Sequence, residues 1–564
     1  MKKMFALVLA VLMVLSLAAC TKTPASSAAP ASSAAASQTE SKEEKPYYNK
    51  EGMPIVNDTI TITCTGSEAF GPWSESMGIE FLKETTGILL QCESYNKEAW
   101  ATQFTLKMSN GTLPDIVFAA FQDRADVNKW GQQGVFANWL DYADLMPNFM
   151  AYREREPKAA AYETAENGAV YGNTAVRSTD RSCINDQTYI SLKWLKAVGK
   201  KVPTTQEELL DVLRAFKTGD PNGNGKADEI PVSSNDASGF RLNWVFRAGF
   251  GIYSTNTDFL VQADKDRKIY LADITDANKD YLKFMRQLYE EELMDNACFV
   301  QNDDEYMQKT KAENVGLWTS WNALQGSTGR SDGDLYKDYA MYAGFTTKYT
   351  DEIIFPLYIK AAEGARTMIN AKSKYIEACA RLIDWGLYSA EGGAQWEYGK
   401  EGVTFEYVDD GAGNKVPKAD KFADLKTYPS EMQWRRYKVF LPGNAGGYVL
   451  STKDKIVSEM SKEELQKQLD TNSVYAGGAF AELFVRNNKC EECFPFLVFT
   501  GEEREAMGTK QAEIAEYIKT MRVGFINGTV DIDAKWDEFC NTVKSMGAED
   551  IIKIYQQAYD RYQG

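Results

Sequence analysis

The chain has 564 residues, of which 80 are acidic and 63 basic, and it contains no histidine. A net charge of −17 disfavours nucleic acid and anionic lipid as partners, because both are bound through basic footprints. The missing histidine removes Ser-His-Asp and Cys-His catalysis, histidine zinc sites and histidine pH switches, while paired carboxylates stay open.

The first residues read as a targeting segment. Lys2 and Lys3 precede an uncharged apolar run, residues 4–17, too short to span a bilayer and flanked as in a signal peptide. It ends in Leu17-Ala18-Ala19-Cys20, which resembles a bacterial lipobox. Residues 1–19 are therefore expected to be removed and Cys20 to be acylated, an anchor of two or three chains. The alternative is an ordinary secretory signal that happens to end in cysteine. Residues 20–46 form a Ser/Ala/Thr/Pro-rich tether that turns charged at 40–45; it cannot bury a core and is expected to be disordered. The body, 47–564, has no long apolar run and is large enough for two or three cores.

In chain order, 59–64 alternates β-branched and polar residues and predicts a strand. Residues 78–86 predict a helix, 89–93 a strand, 102–109 a helix, 111–115 a turn and 116–120 a short buried strand. Such alternation implies βαβ units and a largely parallel sheet. Thr205-Gln206-Glu207-Glu208 is a capping box, followed by Leu209, Val212, Leu213 and Phe216 on one helical face. Residues 276–292 and 374–388 repeat that apolar spacing, and two further stripes, Ile514/Ile518/Met521/Phe525 and Ile551/Tyr555/Ala558/Tyr562, make the end of the chain helical. There is no internal repeat. The expected fold class is α/β in two lobes with added C-terminal helices. Cys490-Glu491-Glu492-Cys493 is a lone C-x-x-C; zinc would need two more ligands, and free thiols, a local disulfide or a metal all stay open. The other body cysteines read as buried small hydrophobes.

The sharpest chemical motif is Asp220-Pro221-Asn222-Gly223-Asn224-Gly225-Lys226-Ala227-Asp228-Glu229. Oxygen-bearing side chains stand at loop positions 1, 3, 5 and 9 with glycine at 6, as in the first part of an EF-hand loop. The acid usual at position 12 is replaced by Pro231, and Glu229 at position 10 is the available substitute. Hard oxygens suit Ca²⁺ in a structural role. The alternative is a Gly/Asn-rich turn without metal.

This loop, with Trp194-Leu195-Lys196-Ala197-Val198-Gly199 and Val202-Pro203-Thr204-Thr205 before it, resembles the family 1 extracellular solute-binding lipoproteins. The similar branch includes the calcium-binding receptors for alginate oligosaccharides. Gly111-Thr112-Leu113-Pro114-Asp115-Ile116, Asn167-Gly168-Ala169-Val170-Tyr171-Gly172, Leu288-Tyr289-Glu290-Glu291-Glu292-Leu293, Tyr398-Gly399-Lys400-Glu401-Gly402-Val403 and Phe499-Thr500-Gly501-Glu502-Glu503 are similar as well. The resemblance implies two lobes joined by a hinge: lobe 1 from 47–178 with a return segment at 316–370, and lobe 2 from 179–315 and 371–564. It also implies calcium ligands at Asp220, Asn222, Asn224, the Lys226 carbonyl, Asp228 and Glu229. The implied function is capture of an oligosaccharide in the interlobe cleft and delivery to the permease subunits of an ABC importer. The receptor would be a monomer that touches the membrane only through its lipid. No chemistry on the ligand is required.

A sugar cleft needs flat aromatics for ring faces and polar groups for ring edges. Trp73, Trp318, Trp321 and Trp396 stand in loop-like contexts and are the aromatic candidates, each with core packing as the alternative. Arg435 could grip a uronate carboxylate, or simply be a solvated charge. Trp194, Trp385 and Trp536 fall on helical patterns and are assigned to the core. Two other functions compete: a peptide-binding or adhesive surface lipoprotein, and a tethered glycan-cleaving enzyme with two carboxylates across a cleft.

Overall fold

The computed structural model describes residues 46–563 except 69–70, 121, 177–179, 185, 236–241, 255–257, 321–322, 331, 359–360, 364, 410–412, 429–430, 443–451, 472 and 474. Cys20 and Trp321 lie outside the described residues.

The first lobe grows from β1 (Ile60–Ser67), whose Ile62 and Cys64 face the core, through α1 (Gly78–Thr86) to β2 (Ile88–Tyr95). Gly87 ends α1 at φ 78°, a left-handed turn that lets the chain reverse into β2. The Asn96 side chain caps α2 (Lys97–Asn110), which leads to β3 (Ile116–Phe118) and on to α3 (Arg124–Gln132). β2 and β3 flank β1 in parallel, so the chain crosses over β1 and leaves a switch point between β1 and β3.

β4 (Ala175–Val176) then carries the chain into the second lobe, where β5 (Gln187–Ser191) and β6 (Ile230–Ser233) enter a new sheet. A hairpin, β7 (Val261–Ala263) with β8 (Ile269–Leu271), follows, and β9 (Val315–Ser320) and β10 (Tyr339–Met341) complete the order β10-β5-β9-β6. β11 (Ile354–Leu357) precedes β12 (Ala361–Glu363), which returns antiparallel to β4. β13 (Met368–Ile369) closes the first sheet against β3. A hairpin, β14 (Glu406–Asp409) with β15 (Lys415–Lys418), extends from the first lobe and packs Val416 into the second core. The third crossing lies between Leu441 in the first core and Val457 in the second. β16 (Lys489–Glu492) pairs in parallel with β11, and helices Lys510–Asn527, Ile532–Ser545 and Ala548–Gln563 close the second lobe.

The two-lobe α/β class expected from the sequence is present, but the lobe boundaries differ from those expected. The segment from 316 does not return to lobe 1, because β9 pairs with β5 and β6. The return is made by β12. Helices Ile376–Tyr388 and Ala390–Tyr398, expected in lobe 2, bury Cys379, Leu382, Ile383 and Trp396 in the first core. The cause is that β9 is buried along its whole length and would suit either sheet. The capping box at Thr205 is also displaced. Thr205 Oγ1 accepts the Glu208 N–H at 3.2 Å, but the Glu208 carboxylate accepts from the N–H of Thr204 at 2.7 Å.

Candidate functional site

In open α/β sheets, ligands bind outside the carboxyl ends of the strands, at the switch point. In the first lobe that place is occupied by Trp73. A Cβ at Gly66, near the end of β1, would lie 1.8 Å from the Phe118 carbonyl oxygen of β3 and 2.7 Å from the Trp73 ring. Only glycine therefore lets the indole settle over the junction of β1 and β3. The Trp73 N–H donates to Ser94 Oγ at 3.2 Å, and Ser94 donates to Glu68, so the ends of β1 and β2 hold the tryptophan together. Trp73 remains half-buried and can offer a ring face.

Tyr437, which sequence reasoning missed, extends this ledge. It is 42% exposed, packs on Gly71 and lies 5.6 Å from the Tyr428 ring. Its segment is docked by two bonds, Met77 N–H to the Lys438 carbonyl and Ser76 Oγ to the Val439 carbonyl, each 2.9 Å. The only sequence signal was its place one residue after Arg435-Arg436.

The second lobe presents a polar edge. β9 runs antiparallel to β5, so Ser320 at its end pairs with Gln187, where the chain arrives from the hinge. Beside them β6 ends in Ser233, followed by the buried Ser234 and Asn235. Ser233 Oγ donates to Asp295 at 2.8 Å, Lys309 bridges Asp295 and Gln301 at 2.7 Å each, and Gln301 donates to the Ser234 carbonyl. Asn235 donates to the exposed Asp303. The half-buried pair Trp244 and Tyr358, ring centroids 5.9 Å apart, stands where the chain leaves this lobe for the hinge.

Beneath the hinge lies a buried polar network. Arg124 donates to the carbonyls of Gly172 and Asn173 at 2.7 and 2.8 Å, and Glu163 accepts the Thr174 N–H at 2.8 Å. Burial pushes the Glu163 carboxyl up to about 7 despite the nearby Arg124 and Arg153. Arg504 of the second lobe pairs with Asp126 at 2.8 Å and with Asp123, the cap of α3.

Three of the sequence candidates belong to the interior instead. Trp318 is buried in β9 between Tyr189 and Tyr339, at 5.5 and 5.2 Å. Trp396 is a core peg of the first lobe: its indole N–H donates to the Pro442 carbonyl at 2.9 Å, and its ring covers Gly386. Arg435 is buried over the Tyr398 ring at 3.9 Å and paired with Glu431 at 2.5 Å, so it stiffens its helix and does not face a ligand. Trp194, Trp385 and Trp536 are buried in the cores.

The loop from Asp220 to Glu229 gathers its oxygen side chains. Asp220, Gly223 and Gly225 take φ of 45°, 71° and 72°, which turns the loop back on itself. The Asp220 carboxylate accepts the N–H groups of Asn224 and Gly225 at 3.0 and 3.1 Å, and Asn224 Oδ1 accepts that of Lys226 at 2.7 Å. Asn222 and Asn224 both reach Asp228. Glu229 Oε1 is buried with no hydrogen-bond partner, which fits a bound cation. Among the described residues no three His, Cys, Asp or Glu side chains converge as a metal cluster; here two of the oxygen donors come from asparagine. The loop lies at the amino end of β6 and the cleft edge at its carboxyl end, about 13 Å away along the strand.

Two α/β lobes joined by paired strands thus carry an aromatic ledge at the end of one sheet and a polar edge at the end of the other. No protein-family model matches the chain. It is 27% identical over 556 residues to the fructooligosaccharide ABC transporter substrate-binding protein FusA of Streptococcus pneumoniae serotype 4, covering 94% of this chain and 95% of that one. Lipoprotein LipO of Bacillus subtilis is 29% identical over 172 residues, 30% of this chain and 32% of that one. The structure of FusA with kestose superposes with a TM-score of 0.67 over 89% of this chain and 99% of that one, at 24% identity. Alginate-binding protein AlgQ2 without calcium gives 0.65 over 90% and 100%, at 21% identity. The chain is thus similar over nearly its whole length to a solute-binding protein of an ABC transporter. No helix among the described residues is long and apolar enough to cross a membrane.

Proposed function

We propose that this protein captures an oligosaccharide between its lobes and delivers it to the permease subunits of an ABC importer. The observation that carries this is the pairing of Trp73, held over the β1/β3 switch point, with the polar edge around Asn235 and Asp303. A pyranose or furanose ring has an apolar face for the first and hydroxyls for the second. Ligand touching both lobes favours the closed form only by its differential affinity for that form. FusA, which binds kestose and fructo-nystose, makes short fructans the first cargo to test.

The test is calorimetric titration and thermal unfolding of residues 47–564 with fructans, alginate, pectic and N-glycan oligosaccharides. Ligand at 100 times its dissociation constant should add about 2.7 kcal/mol of stability. A shift with one sugar class confirms the receptor; shifts with peptides and none with glycans overturn it.

The Asp220–Glu229 loop would hold structural Ca²⁺ through Asp220, Asn222, Asn224, the Lys226 carbonyl, Asp228 and Glu229. The cation would offset the carboxylate charges and hold the entry to β6 in register. An EF-hand mutant of FusA supports calcium at such a loop. EGTA should lower the unfolding midpoint by about 5 °C, and an unchanged midpoint sinks this role. Lipid on Cys20 would anchor the receptor outside the cell membrane; Cys20→Ala should then release it into the medium, and retention on the cell would refute the anchor.

A further inference from the structure

Cys64 and Cys92 occupy the same register position on neighbouring strands, β1 and β2. In a parallel pair, residues in register project to the same face of the sheet. Their sulfurs stand 2.9 Å apart, so the side chains already aim at one another. Cys64 is buried against the first-lobe core and Cys92 is half-buried. An exported protein folds where disulfides form and persist.

We propose that Cys64 and Cys92 are joined by a disulfide in the exported protein. The proposal rests on the extracytoplasmic location, not on the identity of the cargo. The oxidant is an extracytoplasmic thiol–disulfide oxidoreductase. The more accessible Cys92 thiolate attacks that enzyme's disulfide, giving a mixed disulfide and releasing one enzyme thiolate. The Cys64 thiolate then attacks Cys92 Sγ, forming the Cys64–Cys92 bond and releasing the second enzyme thiolate. The two protons lost by the cysteines end on the two enzyme sulfurs, so the enzyme is reduced to its dithiol. Burial holds the Cys64 thiol well above its ordinary pKa in the folded lobe. The second step therefore belongs to folding, before β2 closes over Cys64. Each cysteine lies two residues before a support of Trp73: Gly66 after Cys64, and Ser94 after Cys92. The cross-link would fix the spacing of the strand ends beneath the aromatic ledge.

The experiment uses the full chain exported from a bacterial host, quenched and denatured in iodoacetamide without reductant, then cut with trypsin. Residues 51–83 and 84–97 are separate tryptic peptides holding Cys64 and Cys92 alone. The expected result is a joined pair lighter by two hydrogens than the sum of its peptides, in most molecules, and separable by reduction. In a Cys92→Ser chain, Cys64 should instead carry the full alkyl label. Full labelling of both cysteines in the native chain overturns the proposal, and so does joining of Cys64 to the neighbouring Cys379. Sugar titration of the same sample reports separately on the receptor function.

Discussion

The sheet ends of the two lobes differ in chemistry. The first offers a ledge of rings, Trp73 and Tyr437, seated on glycines that bring backbone and indole together. The second offers a hydrogen-bonded edge, Ser233, Gln301, Asn235 and Asp303, held from behind by Asp295 and Lys309. Rings supply area at low entropic cost, and buried amides supply orientation. Under the proposed function, the difference means that neither lobe alone has a complete site, so that affinity is tied to closure.

The largest expected effect separates core from ledge within the first lobe. Trp396→Ala should destabilise the protein by about 3–5 kcal/mol in denaturant unfolding, with sugar affinity of the folded fraction unchanged. A normal midpoint would mean that Trp396 is not the peg it is described as.

Next is pH. Glu163 and Asp273 are buried and raised to about 7 and about 6. Raised carboxyls bind protons more tightly in the folded state, so their contribution is complete below the unfolded pKa and is lost as pH rises through the folded value. Stability should fall between about pH 4 and 7 by about 3 kcal/mol per group. Glu163→Gln should flatten its share of that decline, which lies beneath the hinge; an unchanged slope would place the effect elsewhere.

Trp73→Ala should weaken sugar binding by about 10–30-fold in titration while leaving stability within about 1 kcal/mol. On the opposite edge, Asp303→Ala should weaken it about fivefold. If the second loss exceeds the first, the division between aromatic and polar lobes is wrong.

The smallest effect concerns the contact between lobes. Arg504→Gln should cost about 0.5–1 kcal/mol and reduce the sensitivity of unfolding to salt, because it removes the pairs to Asp123 and Asp126.

Local patterns told most about the elements and the loop. The strands at 60–67 and 88–95 and the helix at 78–86 lie where their one-sided apolar patterns put them, and 116–118 is the short, wholly buried strand its apolar run predicts. The gathering of oxygen side chains in Asp220–Glu229 was legible because they come from ten consecutive residues, whose spacing is set by the backbone itself. What sequence alone could not decide was which segments share a sheet and which aromatics face outward. β9 is buried throughout, polar Thr319 and Ser320 included, and carried no mark of its lobe. Trp73 and Trp396 both stood beside glycine-containing motifs, yet one lies over a strand end and the other is enclosed by a helix pair and Pro442. That outcome depends on contacts such as Trp396 with Phe118 and Ser76 with Val439, hundreds of positions apart in the chain, which only folding brings together.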